Sequence, residues 1–289
     1  MTEKIHISDR VRYNIYLVIA ATLWSFGGVL IKLINWNSIA IAGMRSLFAA
    51  MFILGVIKKP NFKFSYKKFF AAFFYASMLT LFVCSTKMTT AANAILLQYT
   101  APIYVGIFGA WILKEKVGLK DWICIFAIIG GMILFFIDNL TVGNYIGNIL
   151  GILSGVSFAF MVIFMKLGHE EDPLQSMFWG NILTTLFAVP FIFQSMPDGK
   201  SWLGMFLLGT LQIGLPYVFY SKAVKNVPAI DAVLIPMIEP ILNPVWVFLF
   251  IGEIPGIWAI LGGSIVLIAI LVRAYRKPIK GKTKVQRTI

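Results

Sequence analysis

Glu239 is an acid placed where an acid is costly. It stands in the stretch 229–253, AIDAVLIPMIEPILNPVWVFLFIGE, which is otherwise almost wholly apolar. From Ala229 to Ile251 this stretch is long enough to cross a ~30 Å hydrocarbon core. At 1.5 Å of rise per residue, Glu239 lies roughly 15 Å from Ala229, near the middle. Three prolines recur on every fourth position, Pro236, Pro240 and Pro244. Each lacks an N–H, so the carbonyls of Ala232, Pro236 and Pro240 lose their helical partner. An unsatisfied polar group in lipid costs several kcal/mol, so these carbonyls and the carboxyl must turn to protein, water or a ligand. The chemistry on offer is that of a proton or cation site on a polar path. The plainer alternative is a packing acid held by Arg45 or a backbone donor.

Other residues can join Glu239. Arg45 lies inside an apolar segment, where it either meets an anionic group or Glu239, or snorkels to the headgroups. Trp24, Tyr99 and Trp246 sit inside their segments, away from the interfaces where aromatic anchors gather. With Trp179, Tyr217 and Tyr220 they can wall a cavity for a cationic or aromatic ligand, or simply pack. Gln98, Gln212, Asn181 and Asn243 can bind a polar solute or tie helices together. The expected substrate-binding set is Glu239, Tyr99, Gln98, Asn243, Trp24, Trp246, Arg45, Trp179 and Tyr217, with Glu239 also the proton-coupling group. Asn93 and Asp231 fall in the first turn of their segments, where N-terminal capping explains them. Glu115 and Glu253 end two segments and are expected to touch partner loops. Lys32 and Lys87 are expected to snorkel.

No metal or cofactor is expected. His6 and His169 fall outside the apolar segments, and Cys84 and Cys124 have no metal-ligand spacing. There is no HExxH, no phosphate loop and no serine with a nearby histidine, so no enzyme is expected.

The elements that must position these groups follow from composition. Hydrophobic residues make up 59% of the chain, charged residues 13%, and mean hydropathy is +0.85. A soluble domain of this length has too little interior for that, so the chain reads as an all-α polytopic membrane protein. Long continuous apolar runs exclude an alternating β-barrel. Ten spans are expected: 13–34, 38–57, 66–88, 91–113, 118–137, 146–167, 174–194, 201–223, 229–251 and 256–274. The first is long enough to span and follows a polar start, so no signal peptide is expected. With the N-terminus in the cytoplasm, the outer ends hold only Lys32, Lys87 and Lys200, while nearly all other Lys and Arg fall inside. Both termini are therefore expected in the cytoplasm of a cell with this protein in its plasma membrane. The net charge of +13 then reflects topology and not nucleic acid. The basic tail, 276–289, suits anionic inner-leaflet lipid.

The chain also resembles itself. Aligning 91–115 with 229–253 without gaps, Ala91 meets Ala229, Asn93 meets Asp231, Leu96 meets Leu234, Pro102 meets Pro240 and Glu115 meets Glu253. Residues 13–32 align likewise with 147–166, pairing Asn14 with Asn148 and Lys32 with Lys166. Ile129-Gly130-Gly131 resembles Leu261-Gly262-Gly263. Two homologous halves with an odd number of spans must lie in opposite orientations. The expectation is a five-helix repeat over 1–140 and a second, inverted one over 141–275, with the site between them at mid-depth.

The Ala-x-[Asn/Asp]-Ala opening of spans four and nine, the Glu239-Pro240 pair, the Lys-Glu and Gly-Glu endings at Glu115 and Glu253, and Arg45 in Gly-Met-Arg-Ser-Leu-Phe-Ala resemble the EamA-type branch of the drug/metabolite transporter superfamily. That resemblance implies ten helices around a central cavity and alternating access. The function expected is secondary-active movement, in the export direction, of a small polar metabolite such as an amino acid or amine. Its ammonium would meet Glu239 and its carboxylate Arg45, with protons as the coupling ion. The alternatives are a channel-like conduit, an intramembrane enzyme, or a carrier importing a quaternary amine or nucleobase.

Overall fold

A computed structural model describes residues 7–115, 117–140, 143–242, 245–246 and 256–275. Among these residues all regular structure is helical. Span one is two helices, α1 (Ile7–Trp24) and α2 (Gly27–Leu33). Spans two and three are α3 (Ser38–Ile57) and α4 (Tyr66–Met88). Span four comprises α5 (Ala91–Gln98), α6 (Ala101–Tyr104), a π-helical stretch (Val105–Gly109) and α7 (Ala110–Ile112). Then come α8 (Leu119–Phe136), α9 (Tyr145–Leu167) and α10 (Pro173–Ile192). Span eight is α11 (Gly199–Leu207), a π-helical stretch (Leu208–Gly214) and α12 (Leu215–Val224). Span nine opens as α13 (Ala229–Leu234) and tightens into a 3-10 turn (Ile235–Ile238). The last helix is α14 (Ile257–Tyr275).

Seven helical segments among the described residues are long and apolar enough to cross a membrane: Ser38–Ile57, Tyr66–Met88, Ala91–Ile112, Leu119–Phe136, Tyr145–Leu167, Gly199–Val224 and Ile257–Ala274. Of the other three expected spans, the first is broken at Ser25–Phe26, and the seventh is α10, which contains Pro190. The ninth runs out of the described residues, and Asn243, Pro244 and Glu253 lie outside them.

Spans four and nine are not the uninterrupted helices that their apolar runs predict. Pro102 cannot donate to the carbonyl of Gln98, and the helix breaks at Tyr99–Thr100. Thr100 Oγ1 donates to Leu97 O at 2.6 Å, and Thr100 N reaches the same carbonyl at 3.2 Å, closing the end of α5. In span nine the 3-10 turn Ile235–Ile238 falls at the matching place, just ahead of Pro240, the counterpart of Pro102. Helices interrupted at depth are tolerated only where protein or a cavity satisfies the backbone.

Helices pair as α4 with α9, α3 with α10, α8 with α14 and α1 with α12. Small residues allow the close approaches, as they do between membrane helices generally. Gly147, Gly151 and Gly155 form a stripe on α9. A Cβ on Gly155 would lie 2.7 Å from Gln98 O, and one on Gly147 would lie 3.0 Å from the Met88 backbone. Gly131 of α8 abuts α14, where its Cβ would meet Gly262 O at 3.0 Å.

The core is apolar, but the exterior is apolar too and several strongly polar groups are buried. Phe126, Phe187, Ile260 and Ile268 are exposed, whereas Arg45, Ser46, Asn181 and Asp231 are fully or almost fully buried. Polar groups turned inward and apolar ones outward are what a lipid solvent selects.

Candidate functional site

The breaks in spans one, four and nine meet around an internal cavity of about 50 Å³. Its polar wall is made by Trp24, Arg45, Gln98, Tyr99, Gln212, Tyr217 and Glu239, and its apolar wall by Met78, Leu79, Phe82, Phe158 and Ile213. At the centre, the Tyr99 hydroxyl donates to Glu239 Oε2 at 2.5 Å. The same hydroxyl lies 3.1 Å from Pro236 O, a carbonyl that Pro240 cannot serve and that also accepts from Glu239 N–H in the 3-10 turn. Tyr220 OH donates to Ala232 O, another, at 3.0 Å. Two of the three carbonyls orphaned in the sequence thus find a phenol. A phenol suits this task because its ring packs in the core while its hydroxyl reaches a polar partner.

Glu239 is partly exposed to the cavity, while Tyr99, Tyr217 and Arg45 are buried around it. Arg45 is 1% exposed, an extreme for a guanidinium, and Nη2 donates to Leu79 O at 3.3 Å. Its Nε has no hydrogen-bond partner, nor has the buried Oε1 of Gln212 in the same cavity wall. Charge buried without a full set of partners costs several kcal/mol, and the penalty is relieved by a ligand or water. Gln212 is held by the π-helical stretch of span eight, a local widening often found at functional sites. Gly27 permits this, since a Cβ there would lie 2.8 Å from Gln212 Cδ.

Aromatic packing fixes the wall. Trp24 lies 5.0 Å from Tyr217 and 5.3 Å from Tyr220, ring centre to ring centre. Tyr217 lies 4.9 Å from Tyr75, whose hydroxyl accepts from Asn181 Nδ2 at 3.0 Å. Gln98 donates to Ser154 Oγ at 2.9 Å, tying α5 to α9.

Two residues of the expected set lie elsewhere. Trp246 Nε1 donates to Ser25 Oγ at 2.9 Å and its ring stacks on Phe26, so it braces the break in span one. Trp179 Nε1 donates to Asn61 O at 3.1 Å, against the 61–62 loop and the Phe62 ring. Conversely, residue type and depth gave Gln212 no rank above the other amides and left Phe82 and Phe158 unmarked. A glutamine flanked by Gly209 and Gly214 in mid-span was the one available signal.

Several groups read as caps or snorkels do other work. Thr90, not Asn93, caps α5, with Oγ1 accepting from Asn93 N at 3.0 Å. Asn93 Nδ2 reaches Thr89 Oγ1 and Asn148 Oδ1 at 3.1 and 3.2 Å. Asp231, 1% exposed, bonds Arg273 Nε at 2.6 Å and approaches Arg10 at 3.7 Å. Arg273 also bonds Asp121, so the three side chains form one ion network with little exposure. Lys32 Nζ donates to Thr89 O at 2.8 Å and Lys87 Nζ to Ile34 O at 2.5 Å, both closing helix ends instead of reaching headgroups. Glu115 meets the start of span nine, where Oε2 accepts from Ala229 N at 2.9 Å.

Comparison with known proteins places this arrangement. A family model described as "EamA-like transporter family" matches residues 11–137 and again 145–274. The chain belongs to the EamA-like transporter family. This EamA-like protein is 23% identical over 257 residues to an uncharacterized transporter of Archaeoglobus fulgidus, covering 89% of this chain and 94% of that one. It is 24% identical to Solute carrier family 35 member G1 of Mus musculus, covering 92% and 79% respectively. The pseudopaline exporter CntI of Pseudomonas aeruginosa is 22% identical over 192 residues, covering 64% of this chain and 66% of the exporter. A solved crystal structure shares the fold at a TM-score of 0.75 and 13% identity, covering 90% of this chain and 97% of that one. The protein is therefore a multi-pass membrane protein of a transporter family, and its partner is a small-molecule substrate.

Proposed function

We propose that the protein is a secondary-active carrier that exports a small polar metabolite, an amino acid or related amine, by alternating access. The observation that carries this reading is the Tyr99–Glu239 bond in a small cavity whose wall also holds Arg45. An ammonium displaces the Tyr99 hydroxyl from Glu239, and a carboxylate completes Arg45 Nε. The cavity at about 50 Å³ has room for a water or two, since each takes about 30 Å³ in the liquid. Pockets that hold metabolite-sized ligands run to roughly 300 Å³ or more, so the helices must part to admit one. Glu239 carries the coupling proton. One relative bears the name of an exporter, which supports the direction.

The two halves, 1–140 and 141–275, are inverted repeats. The helix pairing supports this: a two-fold exchange of halves turns the α4–α9 pair into the α12–α1 pair and maps α3–α10 and α8–α14 onto themselves. The lysine clamps support it too, because Lys32 on Thr89 O and Lys166 on Val227 O, at 2.8 and 2.6 Å, fall at equivalent positions. The protein lies in the plasma membrane with both termini in the cytoplasm, which puts the Arg273 network at the inner end.

Two experiments test this. A thermal-shift screen against a metabolite panel selects the ligand, because binding raises apparent stability by mass action. Reconstituted protein should then show counterflow of that labelled ligand; conductance without counterflow would identify a channel. Cysteine replacing Gly199 should react with an impermeant reagent from outside and cysteine replacing Lys63 should not; the reverse pattern overturns the topology.

A further inference from the structure

At the Arg273 end of the bundle a second cavity, of about 310 Å³, opens between α1, α12 and the start of α10. Its wall carries three cations, Arg12, Lys222 and Lys225, together with Tyr13, Tyr16 and Asp172. The one acid is engaged, since Asp172 Oδ1 caps α10 by accepting from Leu174 N at 3.0 Å. Arg12 is held in place by Asp9 at 3.2 Å and by the Tyr13 hydroxyl at 3.1 Å. Lys222 and Lys225 form no ion pair among the described residues. The cavity is therefore a basic cup, several times larger than the internal one, and none of its lining residues is shared with that one.

We propose that this cup binds the phosphate headgroup of an anionic phospholipid. Three features favour a lipid over a free anion. The cup lies at the end of a membrane-spanning bundle, where basic pockets between helices meet headgroups. Tyr13 and Tyr16 line it, and tyrosine rings sit at headgroup depth. Beside it on α1, Val11, Ile15 and Val18 are exposed on successive turns, an apolar track for an acyl chain. Because α1 and α12 also supply Trp24 and Tyr217 to the internal cavity, a bound lipid would bridge two of its walls.

The test is thermal unfolding of the full chain in detergent, with added phosphatidylglycerol, phosphatidylcholine or inorganic phosphate. Phosphatidylglycerol should raise the unfolding temperature while the other two leave it unchanged. In Lys222→Gln/Lys225→Gln at least half of that rise should vanish, read against the same variant without lipid. Both lysines are exposed, so the variant should fold, and Arg12→Gln offers the same reading if it does not. A rise that survives the substitutions would move the lipid to the basic tail and overturn the site. An equal rise with phosphatidylcholine, or with phosphate alone, would overturn the anionic lipid as the ligand, as would no rise at all. None of these outcomes depends on the transported substrate.

Discussion

Spans four and nine begin from one template and end with different chemistry. Both open Ala-x-[Asn/Asp]-Ala and both break near a matching proline, Pro102 or Pro240. Yet position 239 in span nine is a glutamate where span four has Ala101, and position 99 in span four is a tyrosine where span nine has Met237. The phenol and the carboxylate that meet at 2.5 Å are therefore not symmetry mates. The first turns diverge as well: Asn93 takes neutral amide and hydroxyl partners, whereas Asp231 takes two arginines. A duplicated frame supplies the breaks, and single substitutions on each copy supply the charge.

The comparison is broken most severely at Glu239. Glu239→Gln keeps the shape and the Tyr99 bond but removes the titrating group. It should abolish pH-driven transport while leaving substrate exchange measurable in proteoliposomes. Full proton-coupled activity in the variant would mean that span nine does not carry the coupling site.

Next in size is the contrast between first turns. Asp231→Ala removes a buried carboxylate from the largely covered Arg273, and breaking a buried ion pair costs roughly 3–5 kcal/mol. Asn93→Ala removes neutral hydrogen bonds, each worth about 1 kcal/mol. Thermal unfolding in detergent should therefore fall much further for Asp231→Ala. Equal losses would show that the two turns are energetically alike despite their different partners.

A smaller effect separates two tryptophans. Trp24 lines the cavity and Trp246, beyond the break of span nine, braces Ser25 and Phe26. A desolvated cation–π contact is worth about 2 kcal/mol, so Trp24→Ala should weaken ligand binding roughly thirtyfold by calorimetry. Trp246→Ala should lower thermal stability and change affinity far less. The opposite ranking would make Trp246 the wall.

Much of this was legible in the chain itself. Composition fixed the solvent as lipid, because so much apolar surface has nowhere else to go. Helix phase and proline chemistry fixed which carbonyls would be orphaned, since a missing N–H is a covalent fact. The repeat paired Pro102 with Pro240 and Glu115 with Glu253, although it did not show that both helices would break. Partners across the bundle were decided only by tertiary structure. That Tyr99 and Tyr220 serve Pro236 O and Ala232 O depends on which helices cross, and no local pattern encodes a crossing. The same holds for Asp231, whose place in the first turn fits a cap equally well until Arg273 arrives from the far end of the chain. The partners of Trp246 and Trp179 could not be read for that reason: depth along a helix is written in residue spacing, but the direction a ring faces is set by the neighbours it packs against.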